Sequence, residues 1–245
     1  MNNINATQES REIHLNTIQE GLGRCQGVAQ EFSVRSIKSK QTYDWLLNKH
    51  YARRIPMICY SFGLYKDDLE GICTFGLGGN INNNKFSNYD MIELNRLVIN
   101  SRLGKNVLSF FIAKCFKLLP KPIVIISYAD EKHNHSGYIY QATNWLYTGL
   151  SSMERTIIKN DKEYHRKSLF DTYGTSSIEY LKYKGYEILE ANAKHRYLYF
   201  LGNKAQKKDM LKNLKYEIKP YPKGKNIRYD ASYKPIIQRE LFTTI

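Results

Sequence analysis

The sequence predicts an α/β (α+β) fold in which helices flank a mixed β-sheet. Two apolar runs, "MICYSFGLY" and "LEGICTFGL", are separated only by "KDD", a pattern typical of a β-hairpin. "VLSFFIAKCFKLL" places its apolar residues on one face of a helix, which Pro120 ends. "PIVIISYAD" is apolar without alternation, as expected for a strand covered on both faces.

The other elements follow these runs along the chain. In "SKQTYDWLLNKHYARRIP" the apolar spacing predicts an amphipathic helix that ends near Tyr51. "YDMIELNRLVIN" predicts a third strand, and the β–α–β unit over 91–128 is expected to be a parallel crossover. A helix is predicted for "GYIYQATNWLYTG" (137–149), and two more strands for "YEILE" and "HRYLYFLG".

Net charge is the strongest global signal. The chain has 37 Lys and Arg against 23 Asp and Glu, a formal charge of +14. Between residues 194 and 228 there are eleven basic and two acidic residues, interleaved with tyrosines. Such an excess indicates a polyanionic partner, most often nucleic acid. The alternative is a Lys- and Asn-rich composition inherited from a skewed genome.

The sequence also bears on the compartment. No apolar run reaches the roughly 18 residues of a transmembrane helix, and the first residues lack the apolar core of a signal peptide. Its four cysteines show no C-x-x-C spacing, so they are interpreted as thiols in a reducing environment. We therefore expect a cytoplasmic protein that does not bind membranes.

Polar residues interrupt the predicted elements at places where ligands commonly bind. In "RLGKN", Gly104, Lys105 and Asn106 precede a helix N-terminus, which suits a phosphate, although a tight connection explains the turn equally well. Ser109 lies in the first turn of that helix, where it faces either a ligand or solvent.

Arg96 is unusual because strict alternation would place it on the apolar face of its strand, with Ile92, Leu94 and Val98. Three explanations stay open: pairing with an acidic neighbour such as Glu93, displacement by a bulge, or binding of an anionic ligand.

Asp130 ends the buried strand, and ligands bind outside the carboxyl ends of strands in open α/β sheets. It is either an active-site carboxylate or a helix cap, and with His133 and His135 it resembles a small metal cluster. In a helix over 137–149, Tyr140, Asn144 and Tyr147 would share one face toward the same cleft.

Several strings carry a family resemblance, in order, over roughly residues 45–225. They are "ELNRLVI", "NVLSFFIAK", "SYADEKHNHSGYIYQATNWLYTG", "AKHRYLYFLG", and "GKNIRY" preceded by "KPYPK". The sequence resembles the Mom family of phage DNA-modification proteins, which belongs to the GNAT acyltransferase superfamily. The resemblance implies a GNAT-like mixed sheet with a central bulged strand, and it implies acetyl-CoA binding. It also implies that the protein converts adenine in double-stranded DNA to N6-(carbamoylmethyl)adenine, a modification that protects phage DNA from restriction in the bacterial host.

The resemblance also implies the site residues. It points to Arg96, Ser109, Asp130 and Tyr140 as catalytic, and to His50 and Tyr51 beside them. In the implied product N6 is bonded to a methylene carbon, a linkage that ordinary acyl transfer does not give, so a redox-active metal is expected. The oxygen and imidazole groups of His50, Tyr51, Asp130 and Tyr140 suit iron.

The remaining expectations concern DNA. We predict an N-terminal arm (1–30), a GNAT-like catalytic domain (31–200) and a basic C-terminal extension (201–245). Access to N6 requires base flipping, which aromatic stacking and phosphate contacts offset. The candidate DNA-binding residues are Lys194, Arg196, Lys219, Lys223, Lys225 and Arg228. An N-acetyltransferase acting on an amine and a non-enzymatic DNA-binding phage protein are the rival interpretations, and the oligomeric state stays open, a dimer included.

Overall fold

The computed structural model describes residues 31–77, 89–130, 135–152, 155–164, 166–190 and 193–223. The predicted N-terminal arm lies outside them. The strands are β1 (Ser33–Ser36), β2 (Tyr60–Tyr65), β3 (Leu69–Gly76), β4 (Met91–Ile99), β5 (Ile123–Asp130), β6 (Leu146–Leu150), β7 (Arg155–Lys159), β8 (Lys162–Tyr164), β9 (Glu187–Glu190) and β10 (Lys194–Leu201). The α-helices are α1 (Val107–Leu118), α2 (Tyr138–Ala142), α3 (Arg166–Tyr173), α4 (Ile178–Tyr183) and α5 (Lys204–Lys212).

Seven strands form the main sheet, in the order β1-β2-β3-β4-β5-β10-β6. Only β4 and β5 are parallel, and the other neighbouring pairs are antiparallel. Since α1 connects β4 to β5, the predicted parallel β–α–β unit and the mixed sheet are both confirmed. The predicted hairpin is β2–β3.

The two parallel strands pair only where they begin. Their register runs from Met91 opposite Val124 to Glu93 opposite Ile126 and then stops. Beyond that point β4 continues on β3, and β5 continues on β10. We call the gap between the diverging ends the fork. It lies at the carboxyl ends of two central strands, where open α/β sheets bind ligands.

A β-bulge marks the β4 side of the fork. Thr74 pairs with Arg96 and Phe75 pairs with Leu94, so Asn95 is the extra residue. The Asn95 side chain holds this geometry, because its Oδ1 accepts from Thr74 Oγ1 at 2.6 Å and its Nδ2 donates to the Met57 carbonyl at 2.9 Å. The bulged central strand of the predicted fold is therefore present.

Apolar layers cover both faces of the main sheet, as predicted for β5. On one face, Phe111, Ile112 and Cys115 of α1 pack against Ile125 of β5. On the other face, Val124 and Ile126 pack with Met210 of α5. Full burial of one such side chain stabilises the fold by roughly 1.5–3 kcal/mol.

Two helix predictions need correction. Before Tyr51 the chain forms a short 3₁₀ turn (Ser39–Thr42) and a π-helical turn (Trp45–Lys49), not one α-helix. Leu46 is fully buried, whereas its neighbour Leu47 is 42% exposed. The predicted helix over 137–149 ends at Ala142, because Asn144 takes a left-handed φ of 59° and the chain then enters β6. Asn144 and Tyr147 therefore do not share a helix face with Tyr140.

The region after residue 150 contains an insert of which only the strand β9, from "YEILE", was predicted. Residues 155–190 form a second sheet, in the order β8-β7-β9, together with α3 and α4. Its own core is built from Ile157, Leu169, Leu181 and Tyr186.

The chain after β10 returns to the main sheet. After α5, the Lys219 amide donates to the Tyr147 carbonyl at 2.9 Å, and the Tyr221 hydroxyl donates to the Trp145 carbonyl at 2.7 Å. The division into a domain ending at residue 200 and a basic extension stays a prediction. Within the described ranges, no helix has the length and hydropathy needed to cross a bilayer.

Candidate active site

The apex of the fork holds two hydroxyl groups, those of Ser127 and Tyr140. Ser127 lies on β5 one residue past the last pair with β4, and its Oγ is 2.8 Å from the Leu94 carbonyl and 2.7 Å from Tyr140 Oη. Both side chains are buried. Ser127 Oγ is the donor toward both acceptors, the Leu94 carbonyl and the Tyr140 hydroxyl, and its single proton is shared between them.

Tyr140 is held as a neutral phenol. Burial, the largest cause, raises the pKa of Tyr140 well above its ordinary value. Its ring packs against Trp145 and Tyr197, at centroid distances of 4.9 and 5.1 Å. The Tyr197 hydroxyl donates to the Ser136 carbonyl, which ties β10 to the start of α2. These contacts fix the direction from which the phenol enters the fork.

Arg96 carries a buried donor with no partner among the described residues. Its Nη1 donates to the Asn95 carbonyl at 2.6 Å, while its Nε is buried without a hydrogen bond. Burial lowers the pKa of Arg96, and the nearby Tyr51, Glu93 and Tyr140 act in the opposite direction. The guanidinium remains a cation at neutral pH. An unsatisfied buried cationic donor is costly, so this atom suits an oxygen of a ligand.

The bulge explains the placement of Arg96. Arg96 and Val98 lie opposite Thr74 and Ile72, whereas Leu94 packs under α1. The expectation that Arg96 shares a face with Ile92 and Leu94 is therefore wrong, and displacement by a bulge is confirmed.

Three aromatic rings lie beside these groups. The rings of His50 and Tyr51 are 4.3 Å apart, and those of Tyr51 and His135 are 6.0 Å apart. His50 is buried, and its Nδ1 accepts from the Ala52 amide at 3.0 Å. Tyr51 influences the pKa of both Arg96 and Tyr140, so it is within electrostatic reach of the fork.

Asp130 lies at the carboxyl end of β5, opposite Lys194 of β10. Its carbonyl accepts from the His135 amide at 3.2 Å, which joins the end of β5 to the segment that leads into α2. The turn before β2, the bulge in β4, the end of β5 and the start of α2 therefore come together here.

Two of the predicted iron ligands, His50 and Tyr140, make other hydrogen bonds. Within the described parts of the chain, no three His, Cys, Asp or Glu side chains are grouped to hold a metal ion. The His50 Nδ1 atom is engaged by Ala52, and the Tyr140 hydroxyl is engaged by Ser127. The iron site formed by His50, Tyr51, Asp130 and Tyr140 stays a prediction. His133 of the predicted cluster lies outside the described residues.

The predicted phosphate-binding turn, residues 104–106, leads directly into α1. The left-handed residue is Asn106, with a φ of 67°, and a side chain at Gly104 would meet no atom within 4 Å. Ser109 Oγ donates to the Asn106 carbonyl at 3.0 Å. The helix α1 has neither a side-chain cap nor an acidic residue in its first turn, so its N-terminus fits an anion.

A buried carboxylate anchors this turn. Glu70 of β3 is 5% exposed, accepts from Asn100 Nδ2 at 2.6 Å and pairs with Arg102. On the far side, Lys49 donates to Asn100 Oδ1 at 3.0 Å. The loop between β4 and α1 is thereby fixed to the π-helical turn that precedes His50 and Tyr51.

The model of the Mom protein family matches residues 31–223. The chain belongs to the Mom protein family. Among curated proteins, Methylcarbamoylase mom of Escherichia phage Mu is 26% identical over 209 residues, covering 80% of this chain and 85% of that protein.

Among solved structures, this Mom-family chain is similar to two proteins solved with acetyl-CoA. One is yncA from Salmonella typhimurium with its cofactor acetyl-CoA, with a TM-score of 0.40 and 7% identity over 70% of this chain and 95% of that one. The other is Arabidopsis thaliana NAA60 in complex with acetyl-CoA, with a TM-score of 0.38 and 10% identity over 69% of this chain and 98% of that one.

The predicted DNA-binding residues of this Mom-family protein fall into three groups. Lys194 and Arg196 lie on β10, but the Arg196 guanidinium already binds Thr148 through Nε and Nη2, each at 2.9 Å, and stacks on Tyr216. Lys219 and Lys223 lie exposed on the segment after α5. Lys225 and Arg228 lie outside the described residues.

Two residues at the fork were missed from the sequence. Ser127 interrupts the otherwise apolar run "IVIIS", and a polar residue in a strand covered on both faces was an available signal. Asn95 gave no such signal, because an asparagine on a half-exposed strand is common and its bulge depends on contacts with Thr74 and Met57.

Proposed function

We propose that this chain is a transferase that modifies DNA, converting adenine in double-stranded DNA to N6-(carbamoylmethyl)adenine and so protecting phage DNA from host restriction. The match to the Mom family over residues 31–223 carries the proposal. The name of the phage Mu relative, a methylcarbamoylase, and the net charge of +14 support it.

The fork is the proposed reaction site. Arg96 Nε is a buried cationic donor, and such a donor stabilises charge that develops on a carbonyl oxygen of the transferred group. Tyr140 stands beside it as a neutral phenol, and Asp130 lies at the open end of β5. In the proposed mechanism Arg96 orients the group to be transferred, and Tyr140 and Asp130 position the adenine amine.

Acetyl-CoA is the proposed donor of the two-carbon unit. The product also requires an ammonia-level nitrogen, which displaces the CoA thiol to form the amide, and a two-electron oxidant, which takes one hydrogen each from the methyl carbon and from N6 as the new bond forms. The phosphates of the coenzyme would be held by Gly104, Lys105 and Asn106 together with the uncapped N-terminus of α1. Gly104 leaves open space, and Lys105 is exposed, so a phosphate can approach the backbone of this turn. Ser109 acts by holding the Asn106 carbonyl.

DNA is the proposed acceptor. The target base must leave the stack, and the rings of Tyr51 and His135 near the fork offer it stacking surface. Lys194, Lys219 and Lys223 supply phosphate contacts, which we expect to make binding strongly dependent on salt. Arg196 contributes indirectly, since it stabilises the Tyr216 segment that precedes Lys219.

A nucleoside mass spectrum of plasmid DNA from cells expressing the chain tests the proposal. We expect a deoxyadenosine heavier by one carbamoylmethyl group, lost with Arg96→Ala, Asp130→Ala and Tyr140→Phe. Arg35→Ala is the matched control, because Arg35 lies on β1 at the sheet edge, stacked over Tyr65 at 4.0 Å. A different adenine adduct would keep the enzyme class and change the chemistry. Unmodified DNA with soluble protein present would favour the amine acetyltransferase.

A further inference from the structure

Helix α5 carries more positive charge than its own stability requires. Residues 201–223 contain seven lysines and two acidic residues. Lys204, Lys208 and Lys212 are exposed and recur at every fourth position, so they line one stripe of the helix and repel one another. The acidic side chain of the helix, Asp209, accepts from the Tyr89 hydroxyl at 2.9 Å and pairs with no lysine of the described ranges. The stripe therefore destabilises the helix until an anionic partner binds.

Lys207 adds a half-buried charge beside this stripe. It shares a helix face with Met210 and Leu211, which pack on the main sheet. Burial lowers the pKa of Lys207, and the nearby Lys121 lowers it further. Within the part of the chain that the structure describes, neither lysine side chain forms a hydrogen bond or an ion pair. The two cations repel each other, and a phosphate bound by both would replace that repulsion with attraction.

The lysines of α5 lie on the same side of the main sheet as Arg96. α5 covers the face of the sheet opposite α1. Ile72 points to the α5 face as well, because its neighbour Cys73 packs with α1. Arg96 lies on that face too, since it pairs with Thr74, two residues further along β3. A partner that covers this face therefore meets both the fork and α5.

The lysines lie at the end of the sheet opposite the fork. Ile123 begins β5 and pairs with Leu201, which ends β10, so Lys121 and α5 flank the same rung. The eight residues of β5, at about 3.3 Å each, place this rung about 23 Å from Asp130. A duplex advances about 3.4 Å along its axis per base pair, so about seven base pairs cover that distance.

We propose that α5 and Lys121 bind the backbone of the same duplex whose adenine enters the fork, up to about seven base pairs from the flipped base. The contacting side chains are Lys121, Lys204, Lys207, Lys208 and Lys212. Lysines contact phosphates whatever the base sequence, so this surface holds the duplex and leaves the choice of target to the fork. The exposed Lys219, whose amide bonds to the Tyr147 carbonyl, continues the line of charge toward the fork. This inference rests on the proposed function, whose DNA path it specifies.

Salt-dependent binding to a labelled duplex of several helical turns, measured by fluorescence anisotropy, is the first test. Each lysine that neutralises a phosphate contributes about 0.9 to the slope of log affinity against log salt. Lys204→Gln with Lys208→Gln should therefore lower the slope by about 1.8 and the affinity about tenfold or more. Lys114→Gln with Lys117→Gln is the matched control: both lysines lie on α1, which covers the opposite face, so neither quantity should change. Equal losses in the two double variants, or an unchanged slope in the first, would overturn the proposal.

The second test separates binding from folding. Lys207→Met fills the space of the lysine stem and removes its charge, so the melting temperature should stay at or above that of the wild type. Affinity for the duplex should nevertheless fall about fivefold to tenfold, the loss expected for one phosphate contact. A variant that loses affinity together with melting temperature would show a structural role for Lys207 and overturn this contact.

Modification of plasmid DNA separates this surface from the proposed function. If the wild type binds duplex DNA through α5 but leaves adenine unmodified, the proposed function fails while the surface stands. If the wild type modifies DNA and the α5 variants bind as tightly as it does, the surface fails while the function stands. Loss of binding confined to duplex RNA would assign α5 to another nucleic acid and would also overturn the proposal.

Discussion

Gly137 offers a sharp test of the packing that directs Tyr140 into the fork. It is the N-cap of α2, has a left-handed φ of 78°, and a Cβ built on it would lie 2.4 Å from Cε2 of Tyr197. Tyr197 is fully buried, and its hydroxyl is bound to the Ser136 carbonyl, so its ring cannot move away easily. The change Gly137→Ala therefore meets two separate penalties.

The magnitudes follow from these two contacts. A left-handed alanine costs about 1–2 kcal/mol, and overpacking a tight site costs about 1–3 kcal/mol, so the free energy of unfolding should fall by about 2–5 kcal/mol. Gly174→Ala isolates the first penalty, since its φ is 69° and no atom lies within 4 Å of the added Cβ. Gly104→Ala, with open space and no left-handed φ, should be neutral or stabilise the fold by about 0.4–1 kcal/mol.

Urea unfolding of the three variants measures these differences, with the circular dichroism of the wild type as reference. The expected order of stability is Gly104→Ala, then Gly174→Ala, then Gly137→Ala. A Gly137→Ala protein no less stable than Gly174→Ala would refute the claim that Tyr197 is fixed against the N-cap of α2.

Three further predictions concern stability. Asn95→Ala should lower the free energy of unfolding by about 1–3 kcal/mol in urea titrations, because it leaves the buried Thr74 hydroxyl without its acceptor. Asn48→Ala is the control: it loses one local hydrogen bond to Asp44 and should change the free energy of unfolding by less than about 0.5 kcal/mol. Glu70→Gln should cost about 1–3 kcal/mol by weakening the bonds to Asn100 and Arg102, and thermal melts indistinguishable from wild type would argue against this anchor. Burial raises the pKa of Tyr199 and of Tyr221 to about 12, so the folded state favours their neutral form. The free energy of unfolding should therefore be unchanged below about pH 10, where both phenols are neutral in the unfolded chain as well, and should fall as the pH rises from about 10 toward 12. Tyr199→Phe should reduce that alkaline loss, and an unchanged pH profile would count against burial of its phenol.

The elements that were predictable from the sequence are those in which local pattern and tertiary environment agree. The helix α1 and the strand β5 have apolar patterns that match their burial, and the hairpin β2–β3 has its turn residues between two apolar runs. Arg96 and Asp130 stood out because each is polar where an apolar strand face or a strand end was expected, whereas Tyr140 came from a predicted helix face and from the family resemblance.

The elements that were not predictable depend on distant contacts. Helical spacing in 137–149 continues past Ala142, but Asn144 turns left-handed and Leu146 pairs with Leu198 of β10 instead. Apart from β9, which "YEILE" predicted, the insert has short elements and a small core, so their apolar patterns are too brief to predict them. The bulge at Asn95 requires Met57 and Thr74, which lie far from it in sequence.

The segment that follows α5 also bears on solubility. β6 is the last strand of the main sheet, and an open last strand can recruit strands of other molecules and start aggregation. Lys219 and Tyr221 bond to the Tyr147 and Trp145 carbonyls beside it, so this short stretch shields one margin of the sheet. The opposite margin is only the four-residue β1. Protein shortened to residue 213 should therefore self-associate, and expression variants are best designed to retain the chain through Tyr221.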